Sequence, residues 1–216
     1  MENTKSDRIS GYIRLAVFLM IVLACSGYMI WNAGTRRAIT GIRGPIQEKA
    51  DGGETLHAAG YAVEIRYLAE YDIEGLVVHR KKYGGDGIGA ALAPVDAALA
   101  WGEVAENNRK IDFHWRQSGR WYYWRVDDIA ELAPVGGEAG LNEQSSNNHL
   151  VPANDSIRKK VKKIRRGDHI RIKGYLADIY AEKSDGEVFT WTSSTSRTDQ
   201  GDGACELIYV TDIEWI

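Results

Sequence analysis

Cysteine is nearly absent from this chain: only two occur in 216 residues. One of them, Cys25, lies inside an apolar segment, so Cys205 has no partner in the rest of the chain and a disulfide framework is excluded. That absence is compatible with either side of a membrane, and Cys205, in the phrase ACELIYV, reads as a small buried apolar residue. Catalytic signatures are also missing. There is no Gly-x-Ser-x-Gly and no His-Glu-x-x-His. The five histidines (His57, His79, His114, His149 and His169) are scattered and have no Cys/His pairing, so neither a metal nor a cofactor is expected. These gaps weigh against an enzyme without excluding a site assembled from dispersed residues. The chain also has no internal repeat.

The most informative absence is of charge. No residue from 15 to 35 is charged, and residues 15–31 read LAVFLMIVLACSGYMIW. As a helix at about 1.5 Å per residue, this stretch spans roughly 30 Å, the thickness of a hydrocarbon core. The expectation is a transmembrane helix over 15–35 behind a short tail, 1–14, with Tyr12 and Trp31 at the two interfaces. Three alternatives stay open. Val22-Leu23-Ala24-Cys25 looks like a lipobox with Cys25 as the lipidated residue. A cleaved signal peptide would need a small-x-small exit, which is poorly formed because Tyr28, Met29, Ile30 and Trp31 continue apolar. A buried core helix is opposed by the terminal position and the flanking arginines. Charge leaves orientation nearly tied: Lys5, Arg8 and Arg14 precede the segment, and Arg36, Arg37 and Arg43 follow it. The short polar tail makes N-inside, C-outside the simpler insertion. It would place a single-pass protein in the inner (cytoplasmic) membrane with its C-terminal domain extracytoplasmic.

Beyond the segment, roughly 180 residues remain, enough for a domain with a proper core. Residues 36–56 read as a juxtamembrane linker, broken by Gly41, Gly44, Pro45, Gly52 and Gly53, with a β-rich domain over 57–216. Alternation predicts two strands within 61–83, separated around Glu70-Tyr71. Residues 84–89 read as a loop, and 95–101 as a short apolar helix after Pro94 with Asp96 in its first turn. An aromatic hairpin turns at Gln117-Ser118-Gly119, and 134–148 is loop-like. Asn154 or Asp155 would cap a helix with an apolar stripe of Ile157, Val161 and Ile164, ending at Gly167. Strands follow over 169–180, with a bulge at Gly174, and over 188–194 and 207–216. The fold class is therefore α+β, mostly β: a transmembrane helix, then a small curved barrel of OB or SH3-like type with one basic helix.

Five phrases in this order, PVDAALAWG (94–102), SGRWYYWR (118–125), SSNNHLVPAN (145–154), GDHIRIKGYL (167–176) and SRTDQGDGACELIYV (196–210), carry a resemblance. They resemble a family of uncharacterised bacterial proteins with one N-terminal membrane segment and one extracytoplasmic domain. The resemblance runs over 71–210. It implies location and architecture, has no established activity attached to it and transfers no site. The basic stretch here is more charged than that family leads one to expect.

Candidate chemistry is sparse. His149, in NNHLVPAND, invites comparison with the DRGHxxP motif of metal-dependent nucleases, but Ser146-Asn147 replace the aspartate and arginine and Asn148 stands where glycine belongs. The plainer reading is a histidine that hydrogen-bonds a loop. The glycines of 84–89 lack phosphate-loop spacing, and Asp199-Gln200-Gly201-Asp202-Gly203 lacks the ligand spacing of a calcium loop. Arg158, Lys159, Lys160, Lys162, Lys163, Arg165 and Arg166 crowd a short stretch, while the chain after Gly174 is acidic. Such a face attracts anionic lipid head groups at about 1 kcal/mol per cation, or an acidic protein partner. A tethered domain makes nucleic acid the less favoured partner. Trp115, Trp121, Tyr122, Tyr123 and Trp124, interleaved with Arg116, Arg120 and Arg125, could stack sugars or bases. Strand alternation would put Trp121 and Tyr123 on one face. The expected function is a membrane-anchored binding or structural domain without catalysis, held in the bilayer through 15–35. The binding residues would be the seven cations with Trp115, Trp121 and Tyr123. A hydrolase centred on His149 and a cytoplasm-facing adaptor using 158–166 are the alternatives.

Overall fold

In the computed structural model, residues 3–199 and 204–216 are described, with side chains described outside 3–9 and 29–35. The chain divides into two compact units, Met1–Arg36 and Arg37–Ile216. The first is a single helix, α1 (Asn3–Thr35). Within it Ser10–Tyr28 is long and apolar enough to cross a membrane, at a mean hydropathy of 1.7. Leu23, Phe18 and Met20 are all exposed. By length and composition this exposed apolar helix is compatible with a single-pass membrane protein. Tyr12 lies on the exposed surface, whereas the side chain of Trp31 falls outside the described ones.

The second unit is α+β and mostly β. Its elements are β1 (Ile46–Lys49), β2 (Gly53–Ala58), β3 (Tyr61–Lys82), α2 (Ile88–Leu92), β4 (Val95–Ala100), α3 (Gly102–Asn107), β5 (Arg116–Ser118), β6 (Trp121–Tyr123), a 3-10 segment (Ile129–Val135), α4 (Gly137–Glu143), β7 (Ser145–Pro152), α5 (Asp155–Val161), β8 (His169–Lys183), β9 (Val188–Trp191) and β10 (Glu206–Trp215). The expected pair of strands in 61–83 is one strand of 22 residues. Register shifts at Leu68 and Val78 let it bend, so its first part pairs with β2 and β8 and its last part with β4. From β4 the pairing runs antiparallel to β7, parallel from β7 to β10, and antiparallel from β10 to β8, which also pairs with β3. The sheet is therefore partly curled and barrel-like. Ile73, Leu76, Leu99, Leu150, Ile172, Leu176 and Ile208 fill its inside, and a second apolar cluster around Val63, Ile65, Ile179 and Leu207 fills the arm formed by β3 and β8.

Five local expectations are corrected. Residues 95–100 form strand β4, not a helix: all six are buried between β3 and β7. An apolar run buried on both faces carries no period that separates strand from helix. The supposed loop over 134–148 contains the end of the 3-10 segment, α4 and the start of β7, a strand buried along its whole length despite the polar sequence SSNNH. The juxtamembrane stretch is ordered onto the domain. It carries β1 and β2, Ile42 is buried, and Gly102 N–H donates to Ile42 O at 3.0 Å. The basic helix ends at Val161, where Ile164 N–H turns back to Val161 O at 3.3 Å. Asn154 is its cap, its side chain accepting from Ile157 N–H at 3.0 Å, and Ile157, Val161 and Ile164 are buried as the stripe required. Gly167 sits at a φ of 88° beyond it. The bulge expected at Gly174 lies across from it, between Val210 and Asp212 of β10. Gly174 is needed for a different reason: a Cβ there would stand 1.9 Å from Tyr209 O.

Candidate functional site

Asp96 of β4 pairs in register with His149 of β7, and Ala98 with Asn147. Strand alternation puts all four on one face, which is covered by the β5–β6 hairpin. The hairpin turns at Gly119 and Arg120, both at positive φ, 59° and 73°. For arginine this conformation is unfavourable by about 1–2 kcal/mol, and the bonds made by its side chain offset the cost. Its Nη1 donates to Asp96 Oδ1 at 2.7 Å and to Ala93 O at 2.9 Å, and Nη2 donates to Gly89 O at 2.8 Å. The guanidinium lies 3.6 Å from the Tyr83 ring centroid and 5.1 Å from that of Trp191. Asp96 is fully buried, and a buried carboxylate persists only when paired. Burial, reinforced by the neighbouring Asp96 charge, pushes the Tyr83 phenol up to about 12, so it stays protonated.

His149 is buried beside this pair. Its Nδ1 is 3.0 Å from Asp96 Oδ1 but out of line for a hydrogen bond, and its ring lies 4.7 Å from Trp191. Asp96 Oδ2 has no hydrogen-bond partner among the described residues. The next row is a relay of amides. His79 Nδ1 meets Gln117 Oε1 at 3.0 Å, Gln117 Nε2 donates to Asn147 Oδ1 at 2.6 Å, and Asn147 Nδ2 donates to Arg120 O at 2.7 Å and to Cys205 Sγ at 3.4 Å. Burial holds the His79 imidazole below its ordinary 6.5, so the neutral ring is the favoured form there.

Two cavities open on this region. One, of about 300 Å³, is lined by Arg120, Trp121, His149, Trp191, Cys205 and two threonines, Thr190 and Thr192. The other, of about 340 Å³, is lined by Trp121, Tyr122, Tyr123 and Trp124, with Asn142, Ser145, Arg197 and Glu206 among its polar groups. Trp121 and Cys205 line both. Glu206 is buried and forms an ion pair with Arg197.

The expected site residues are distributed unevenly around these features. His149 stands in a strand at the first cavity. Trp121 is half-buried between the two cavities, and Tyr123 is exposed on the second, with the Arg116 guanidinium 5.0 Å from its ring. Trp115 is a core residue, its Nε1 donating to Asn108 Oδ1 at 2.9 Å. Among the cations, Arg158 donates to Ala91 O at 2.9 Å and Lys160 reaches Asp212 at 3.1 Å, while Arg166 is half-buried. Lys159, Lys162, Lys163 and Arg165 are exposed. The turn 199–203 lies outside the described residues apart from Asp199, whose carboxylate accepts from Ser194 Oγ at 2.5 Å. Among the described residues no group of three or more His, Cys, Asp or Glu side chains is placed to hold a metal ion. Sequence reasoning passed over Asp96, Trp191 and the clamp role of Arg120. The one available signal was a lone carboxylate inside the apolar run VDAALA. No protein-family model, curated protein or solved structure matches the chain.

Proposed function

We propose that this is a single-pass membrane protein whose domain from Arg37 onward is an OB-type binding module, facing the extracytoplasmic side, with its ligand seat over β4 and β7. Support for the OB assignment comes from the pairing order β3-β4-β7-β10-β8, from the single parallel pair, β7 with β10, and from the helix α5 between β7 and β8. OB folds are partly open barrels that bind ligands on the face of their second and third strands, between the loops that follow the first and fourth. In this chain that face holds Asp96 and His149, the loop after β3 supplies Tyr83 and Gly89, and the segment after β8 supplies Trp191 and Cys205.

The observation that carries the proposal is the fully buried Asp96 carboxylate, which fixes Arg120, and through Arg120 Tyr83 and Trp191, around a cleft containing His149. A buried ion pair contributes little to stability compared with an apolar replacement. Its place at the wall of a cleft with convergent polar groups fits recognition better than packing. The test is a small-fragment NMR screen of the full chain in nanodiscs, monitoring the His149 and Trp191 side chains. Fragments that shift both signals, and that cease to do so after Trp191→Ala, support the seat; an unresponsive cleft refutes it. A phosphatase/GFP pair fused after Ile216 tests orientation, and fluorescence without phosphatase activity would reverse it.

A hydrolase reading has one observation in its favour: the Asp96 carboxylate lies 3.0 Å from His149 Nδ1, close enough to become the partner of a general base if the ring turns into line. Turnover of phosphodiester or ester substrates abolished by His149→Gln would establish it. For the exposed cations, the reading is contact with anionic head groups or an acidic protein. Reversing Lys159, Lys162 and Lys163 to Glu then weakens binding to vesicles containing anionic lipid, most strongly at low salt.

A further inference from the structure

We infer that the two cavities form one groove, divided only by Trp121 and Cys205, and that the groove takes a neutral, extended oligosaccharide; this rests on the binding-module reading of the preceding paragraphs. The continuity comes from the shared walls: Trp121 and Cys205 line both cavities. Each cavity, at about 300 and 340 Å³, is at the small end for a ligand site, whereas an elongated ligand would fill both. Aromatic rings are spaced along its length, with Trp191 in one lobe, Trp121 at the divide and Tyr123 and Trp124 in the other. Flat apolar faces with polar edges are what a pyranose ring stacks against.

Charge chooses among the ligands that stack. The two arginines of the groove are engaged by buried carboxylates, Arg120 by Asp96 and Arg197 by Glu206. Glu138 and Asp199 add further negative charge to the wall of the larger lobe. A phosphate backbone needs cations to replace its counterions, and the described lining supplies carboxylates in their place. The remaining polar groups are hydroxyls and amides suited to sugar hydroxyls: Thr190 and Thr192 in one lobe, Asn142, Ser145 and Ser146 in the other. Trp124 is held in place by its Nε1 donating to Asn142 Oδ1 at 3.1 Å, and Tyr122 by a hydroxyl contact with Ser145 at 3.2 Å. The larger lobe is thus a built wall and not a loose aromatic patch.

The experiment titrates the full chain in nanodiscs with cello-, chito- and malto-oligosaccharides from dimer to hexamer, alongside oligo(dT) and oligolysine, by calorimetry and tryptophan fluorescence. The expected result is binding of at least one neutral series with affinity rising about tenfold or more from dimer to hexamer as both lobes fill. Trp121→Ala should lower hexamer affinity about tenfold and flatten the length dependence, while Trp121→Phe retains most of it. Affinity independent of length overturns the single groove. Binding of oligo(dT) or oligolysine without any neutral sugar overturns the ligand class. If no sugar binds while fragments still shift His149 and Trp191, the oligosaccharide inference falls and the cleft survives. If neither responds, both fall.

Discussion

At the scale of single residues, the domain is organised by a few groups that only make sense in pairs. Asp96 is the clearest. Replacing it with Ala leaves the Arg120 guanidinium half-buried without its carboxylate, and the expected loss is roughly 3–5 kcal/mol, read by denaturant unfolding. Asp96→Asn keeps an oxygen for Arg120 and should cost less, so the difference between the two variants measures the charge. His79 gives a pH signature. Its buried imidazole protonates less readily than in the unfolded chain, so stability is fully present above the ordinary pKa of 6.5 and declines as pH falls below it. In His79→Gln the melting temperature should be flatter between pH 7 and about 5 than in the parent. The sequence carries little of either role. Asp96 appeared to sit in the first turn of a helix, where a carboxylate is ordinary, and nothing in the chain tied His79 to Gln117 or Asn147.

At the scale of elements, periodicity was a good guide where one face of an element is wet and a poor one where both are covered. The Ile157, Val161 and Ile164 stripe and the Asn154 cap were legible, because α5 lies half-exposed on the sheet. Asn154→Ala should cost about 1 kcal/mol, measurable as a lowered melting temperature with the fold unchanged. β4 and β7 were misread for the opposite reason. Each is buried on both sides, β4 with alanines and β7 with serines and asparagines, of which Ser145 and Asn147 bond to the covering hairpin, so neither alternates. The 22-residue length of β3 was hidden by its bends, since a register shift looks in sequence like the end of one strand and the start of another. Gly174→Ala tests the crossing of β8 and β10. The added methyl would meet the Tyr209 carbonyl at 1.9 Å, and overpacking against backbone should cost about 1–3 kcal/mol or more.

At the scale of the whole molecule, the chain forms two compact units. Expression of residues 37–216 alone should yield a folded domain in the soluble fraction, while the full chain sediments with membranes. The boundary matters: starting at residue 57, where the sequence suggested the domain begins, removes β1, most of β2 and the buried Ile42, and that shorter piece should melt at lower temperature. Across the sheet, Arg171 donates to Asp72 at 2.7 and 2.6 Å and holds that carboxyl below its ordinary 3.8. The stability from this pair is present above pH 3.8 and disappears as pH falls through the lowered value. Asp72→Asn should therefore lose less stability than the parent on acidification below about pH 4.

The sequence alone determined the broad class: an uncharged stretch long enough for a bilayer, then a mostly β domain with one capped helix. Those properties are local, set by runs, periods and caps within a few residues of each other. Tertiary structure alone decided the candidate site. Asp96, Arg120, His149, Trp191 and Cys205 come from separate elements of the curled sheet and its hairpin, and no spacing along the chain encodes a meeting that depends on which strands pair. The opening segment is long and apolar enough to span a membrane; the pairing of β4 with β7 is what brings Asp96 and His149 onto one face.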